Sequence, residues 1–243
     1  QKLGMQVSLF GGESEVEMPE VEMPECEAWS NFEQLKNEKE VTGFYMSGHP
    51  LDDYSLEIKS FCKNQVSDIR EENIRRFLGK TVSVAGIVSS ANERMSKNNT
   101  LFGSFTIEDH NDTVQLMLFS DDYLKFRHLL VPGMSLMITG TVQKRFRDSD
   151  LVELKVSGIL LLAEVTNKLT SRVSIQLEGA AVDQAFVEKL KEAIVSSPGK
   201  AALDFMISDE MTSNLKMTSR FMVNPYDLAG KLKHWPALEL KLS

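Results

Sequence analysis

Five cations and one aromatic ring fall in two short turns. Arg94 and Lys97 lie within residues 93–99, and Lys144, Arg145, Phe146 and Arg147 within residues 143–148. Cations neutralise phosphates and an aromatic face stacks on a base, so this mixture suits single-stranded nucleic acid. Phe146 is the best stacking candidate, because a ring inside a basic turn has little core to join. A solvated hairpin tip would carry the same residues without binding anything. Asp148-Ser149-Asp150 has a spacing superficially suited to a metal pair, which phosphoryl transfer holds about 3.5–4 Å apart. It sits in a turn, where Asp and Ser favour local backbone hydrogen bonds, and we read it as turn chemistry. Asp52-Asp53 and Asp121-Asp122 stand at helix starts, where carboxylates suit the dipole. No catalytic residue and no metal ligand is assigned.

The elements that must position these turns are short strands. Residues 81–88, 101–107 and 114–119 alternate on a period of two, and a helical stretch over 121–130 is ended by Pro132-Gly133. Strands over 135–142 and 151–161 complete the set. Three strands, a helix and two strands is the order of the five-stranded oligonucleotide-binding (OB) barrel, whose binding loops join strands one to two and four to five. Those loops are the two basic turns. Alternation places Phe102, Gln115, Met117 and Phe119 opposite the core set Val114, Leu116 and Leu118, which adds them to the nucleic-acid contacts. The alternative is that they pack on the helix or on a neighbouring domain. Phe105 and Ile107 are expected in the core.

The net charge of −8 is uneven. Residues 1–62 hold 4 basic and 13 acidic side chains, whereas residues 80–162 hold 9 of each and residues 163–243 hold 10 of each. Phosphate neutralisation supplies most of a dedicated binder's affinity. A neutral barrel therefore implies a local, salt-sensitive grip and a subsidiary role. No apolar run approaches the roughly 20 residues that cross a bilayer. Cys26 and Cys62 form no CxxC pair, and His49, His110, His128 and His234 are scattered, so neither a disulfide framework nor a zinc site is indicated. We read a reduced, cytoplasmic protein that begins at Gln1 because it is an excerpt of a longer one.

Residues 12–28 form an acidic tether: a Val-Glu-Met-Pro-Glu repeat and seven glutamates keep it extended and disordered. Ahead of it, in residues 1–11, Leu9 and Phe10 either seek a pocket on a partner or end a preceding fold. Residues 29–76 read as helical. Ser30 with Glu33 makes a capping box, Phe32, Leu35, Val41 and Phe44 give an apolar face, and Ser47-Gly48 ends the helix before Pro50. A second helix around 53–62 is expected to pack on the first through Tyr54, Ile58 and Phe61, with His49 structural. The barrel spans 77–165. Residues 171–243 follow the order β-α-β-β-α-β, an α+β interaction domain like the split βαβ arrangement, with Trp235-Pro236 closing its core. The fold class is thus multidomain: helical segment, all-β OB barrel, small α+β domain.

These residues carry a family resemblance. Gln6-Val7-Ser8-Leu9-Phe10 resembles the internal sliding-clamp-binding peptide of bacterial replicative polymerases. The segment Glu38-Lys39-Glu40-Val41-Thr42-Gly43-Phe44-Tyr45-Met46-Ser47-Gly48-His49-Pro50-Leu51 looks like the helix-to-turn stretch that these proteins carry next. Phe105-Thr106-Ile107-Glu108-Asp109 and Leu116-Met117-Leu118-Phe119 match the family's OB barrel. The chain is similar to the C-terminal part of the bacterial DNA polymerase III alpha subunit, most weakly after Ser171. The resemblance implies that Gln6, Ser8, Leu9 and Phe10 bind the sliding clamp (beta subunit). It further implies that the barrel contacts single-stranded template and that the last domain docks the tau subunit of the clamp loader. The intact parent would be a DNA-directed DNA polymerase, with its catalytic aspartates and Mg2+ in a palm domain outside this chain. Other classes compete: a free-standing OB protein, a barrel reading RNA as in tRNA-charging enzymes, or a pure interaction scaffold.

Overall fold

A computed structural model of the chain describes residues 29–96, 99–145, 150–178, 182–209, 212–233, 235 and 238–243. The clamp-type residues Gln6, Ser8, Leu9 and Phe10, the acidic tether, Lys97, Phe146, Arg147 and Asp148-Ser149 lie outside them. The first long element is β1 (Thr81–Met95), 15 residues. Its first half pairs antiparallel with β4 (Ser135–Lys144) and its second half with β2 (Leu101–Glu108), with a register shift between Val88 and Ser90. A strand that changes partners must bend, and an extra residue supplies the bend. β3 (Thr113–Phe119) continues from β2 and β5 (Val152–Leu161) from β4, giving the order β3-β2-β1-β4-β5. The strand and helix order is that of the OB barrel.

Inside lie Val82, Val84, Val88, Phe105, Ile107, Leu116, Leu118, Leu136 and Ile138, all buried. The helix α3 (Ser120–Phe126) plugs one end with Tyr123 and Phe126. A short link before β1 contributes too. Its two 3-10 turns, Val66–Ile69 and Ile74–Phe77, bury Val66, Ile69 and Ile74 in the same core. Gly103 in β2 is required by the plug, since a Cβ there would stand 2.1 Å from the Tyr123 ring. Tyr123 is held from above as well, its hydroxyl donating to Glu93 Oε2 at 2.8 Å.

The last domain has the expected element order: β6 (Arg172–Glu178), α5 (Gln184–Val195), β7 (Pro198–Asp209), β8 (Thr212–Val223), α6 (Pro225–Leu232) and β9 (Leu238–Leu242). Its sheet runs β8-β7-β6-β9, with β6 and β7 parallel neighbours. The βαβ unit is therefore not split, a correction to the expected arrangement: α5 returns the chain directly alongside β6. Val173, Ile175, Leu203, Leu228 and Leu232 form the core, and Trp235 meets Phe186 edge-on at 5.2 Å.

The helical segment departs most from expectation. In α1 (Asn31–Thr42) the Ser30–Glu33 capping box is present, but Gly43 ends the helix in the left-handed region at φ 86°, well before Ser47. Leu35 is buried while Val41 and Phe44 are exposed, so the expected apolar face is not a buried stripe. The helix α2 (Ser55–Phe61) does not use Tyr54, Ile58 and Phe61 against α1. Those side chains join Leu51, Ala85, Ile87, Met137 and two residues of α4 (Leu162–Leu169), Leu162 and Val165. Leu56 and Phe61 also pack on the core of the last domain. Thr166 Oγ1 donates to Glu57 Oε1 at 2.6 Å and ties α4 to α2.

Gly103→Ala is expected to cost about 1–3 kcal/mol by overpacking, read as a lowered urea midpoint at unchanged slope. Gly230→Ala, where a Cβ meets nothing within 4 Å in the helix α6, should raise stability by up to about 1 kcal/mol.

Candidate nucleic-acid interface

Directly paired residues of neighbouring strands share a face. Arg94 pairs with Phe102 and Phe102 with Phe119, so one cation and two rings form a row across β1, β2 and β3. The rings stack with centroids 5.8 Å apart and 24° between their planes. Asn92, Ser104 and Met117 form the next row, then Ser90, Thr106 and Gln115. Phe119 is 50% exposed and Met117 44%, so aromatic and thioether surface meets water on a sheet face otherwise built from small polar side chains. A planar base laid there removes that surface from water and stacks on a ring. Gln115 is exposed beside them and Phe102 half-buried.

The basic turns are shorter than the sequence implied. Ladder pairing runs on through Arg94 and Met95, which oppose Phe102 and Leu101. Arg94 therefore projects from the sheet and not from the loop. Lys144 likewise closes β4, opposite Val152. Arg145 donates its amide to the Leu151 carbonyl at 2.9 Å and holds its Nε 3.6 Å from the Glu153 carboxylate. Arg94, Phe102 and Phe119 are thus brought together, with Met117 and Gln115 continuing along the face. Lys144 and Arg145 stand apart on the β4–β5 hairpin.

Between the edge strands β3 and β5 runs a groove of about 800 Å³. Gln115, Met117 and Phe119 line one side, Arg145 and Lys155 the other, and Arg70 and Arg75 reach in from the link before β1. Sequence reading missed Arg75 and Lys155. The only signal was the spacing of Val66, Ile69 and Ile74 among basic residues, which marks the link as an amphipathic piece of the barrel.

Residues 82–162 match the tRNA_anti-codon family, described as an OB-fold nucleic acid binding domain. Beyond the barrel, most of the chain is similar to DNA polymerase III subunit alpha: that of Escherichia coli O157:H7 is 27% identical over 192 residues, 78% of this chain and 16% of the relative. The Saccharopolyspora erythraea protein of the same name is 25% identical over 247 residues, 96% of this chain and 20% of the relative. The chain spans between about a sixth and a fifth of these relatives' length. Among solved structures, an OBody bound to hen egg-white lysozyme covers 42% of this chain and 94% of its own at 20% identity, with a TM-score of 0.32.

Among the described residues, a cluster of titratable side chains lies outside the interface, where α1 and the turn after it meet the end of β2. Lys39 of α1 pairs with Glu108 at the end of β2 and lies 4.8 Å over the Tyr45 ring. Tyr45 meets His49 edge-on at 5.0 Å, and His49 lies 4.1 Å from the His110 ring. Asp52 takes the His49 amide at 2.8 Å through one oxygen and His110 Nε2 at 2.8 Å through the other. The Leu51 amide donates to His49 Nδ1 at 3.2 Å, which requires that nitrogen unprotonated. Burial and the neighbouring His110 both push the His49 pKa down. A depressed histidine contributes stability above its unfolded pKa near 6.5 and loses it as pH falls through the folded value. From pH 8 to pH 5 the protection factor of the Leu51 amide, taken against the intrinsic exchange rate at each pH, should therefore fall as its acceptor becomes protonated. His110→Gln should raise the His49 pKa in an NMR titration; an unmoved titration would count against the coupling.

Proposed function

We propose that this chain is a non-catalytic binding region of a bacterial replicative polymerase, the DNA polymerase III alpha subunit. In this reading the barrel holds single-stranded template, Gln6, Ser8, Leu9 and Phe10 engage the sliding clamp, and the last domain docks the clamp-loader tau subunit. Nucleotide addition, with its Mg2+, belongs to the rest of the parent. The similarity to alpha subunits over most of the chain supports the assignment. The observation that carries the template-binding role is the surface row of exposed Arg94, half-buried Phe102 and exposed Phe119 on a domain that matches the OB nucleic-acid-binding family. Lys97, Lys144, Arg145, Phe146 and Arg147 complete the proposed contacts from the two hairpin turns. For the clamp peptide, two buried apolar side chains give roughly 1.5–3 kcal/mol each before ordering costs. That makes a contact strong enough to hold and weak enough to release.

Phe119→Ala should weaken oligothymidylate binding by about 1–3 kcal/mol, the value of one base stacked on a ring, in fluorescence anisotropy at low salt. Unchanged affinity in both Phe119→Ala and Phe102→Ala would favour the scaffold reading. For the peptide, the Leu9→Ala, Phe10→Ala double variant should lose clamp capture in a pull-down while its thermal melt stays that of the parent. Retained capture would refute the peptide's role.

A further inference from the structure

We propose that the groove between β3 and β5 is a second stretch of the single-strand path, in which Arg75 and Lys155 take backbone phosphates. The inference rests on the template-binding reading above and extends it to the β3–β5 side of the barrel and, through Arg75, to the link that precedes the OB-family match. The groove is a built feature. The first 3-10 turn of the link packs on β3 and β1 and the second on β5 and β4, so the link spans the open side between the two edge strands. Its buried anchors, Val66, Ile69 and Ile74, are 0%, 3% and 4% exposed. Arg75 is thereby fixed by a piece of core and not by a loose loop.

Charge pairing separates the groove's cations into two kinds. Arg70 is committed to Asp112 and lies 3.6 Å from Glu72, and Arg145 faces Glu153. Arg75 and Lys155 are exposed and have no carboxylate partner among the described residues. An exposed cation that pairs with nothing keeps its full charge for a phosphate and forfeits no internal contact when it binds one. Met117 and Gln115 lead from the Phe119 platform along the groove wall, so a strand stacked on Phe102 and Phe119 has a continuous surface to follow. Glu71 and Asp122 also line the groove without a cation of their own among the described residues. A polyanion passing there is repelled by these two and attracted by the other pair. Such a balance gives weak, salt-sensitive, releasable contact, as the neutral charge of the barrel requires.

The test uses the full 243-residue chain with oligothymidylates of about 4 and about 16 nucleotides, the span of OB-fold site sizes. Arg75→Ala with Lys155→Ala should leave the short oligomer's affinity unchanged and weaken the long one about tenfold. Each phosphate contact to a single strand contributes about 0.7 to the slope of log affinity against log salt, so the slope for the long oligomer should fall by about 1.4. Asp122→Asn and Glu71→Gln should act in the opposite sense and strengthen the long oligomer's binding. All four sites are exposed, and unchanged melting temperatures will show the variants folded. If Phe119→Ala weakens binding while the Arg75/Lys155 variant keeps the parent affinity and slope at both lengths, the groove assignment is wrong and the platform stands. If the parent chain binds neither oligomer at low salt, platform and groove fall together.

Discussion

The architecture depends on one strand serving two partners. β1 gives its first half to β4 and its second half to β2, and the bend between Val88 and Ser90 turns a single ribbon into a shared wall. Residues 84–88 are buried on both faces: Val84 and Val88 look into the barrel, and Ala85 and Ile87 lie beneath α2 and α4. A run of small and branched apolar residues suits a strand with no face left for water. Beyond the bend the outer face opens, and there the polar row of Ser90, Asn92 and Arg94 begins. The same strand therefore anchors the domain interface at one end and displays the candidate binding face at the other.

Side-chain spacing accounts for how the interface is arranged. Register alone places Arg94, Phe102 and Phe119 in line, because the ladder is antiparallel and side chains alternate. The rings on the outer face are tolerated because the inner face is complete: Phe105, Ile107, Leu116 and Leu118 already fill the barrel. Gly103 sits between these two populations. It admits the Tyr123 ring on the inside without moving Phe102 on the outside. Precision at the surface is set here by packing one layer below.

What could be read from the sequence and what could not divide along a physical line. Alternation is a local property, so the inward and outward sides of β2 and β3 were legible, as was the capping box at Ser30. Pairing is not local. Nothing in residues 93–95 says that the ladder continues past the first charged side chains, so Arg94 and Lys144 were expected in loops and lie on strands. An amphipathic helix declares that one stripe is buried but not against what; Tyr54, Ile58 and Phe61 were expected on α1 and lie on the barrel. Strand order in the last domain has no periodic signature either, which is why the unsplit βαβ unit was not foreseen. Arg75 and Lys155 were overlooked because they are ordinary surface cations until a groove brings them to one ligand path.

The helix α2 has a further consequence. Its side chains belong to both neighbouring cores, Ile58 to the cluster over β1 and Leu56 to that of the last sheet, with Phe61 in each. A shared hydrophobic wedge couples the two halves, because melting either one strips cover from the apolar side chains of the other. Trimming the chain to the OB-family boundaries would cut away this wedge and the link that closes the barrel. A fragment that keeps both cores covered accordingly starts near Leu51 and carries both sheets.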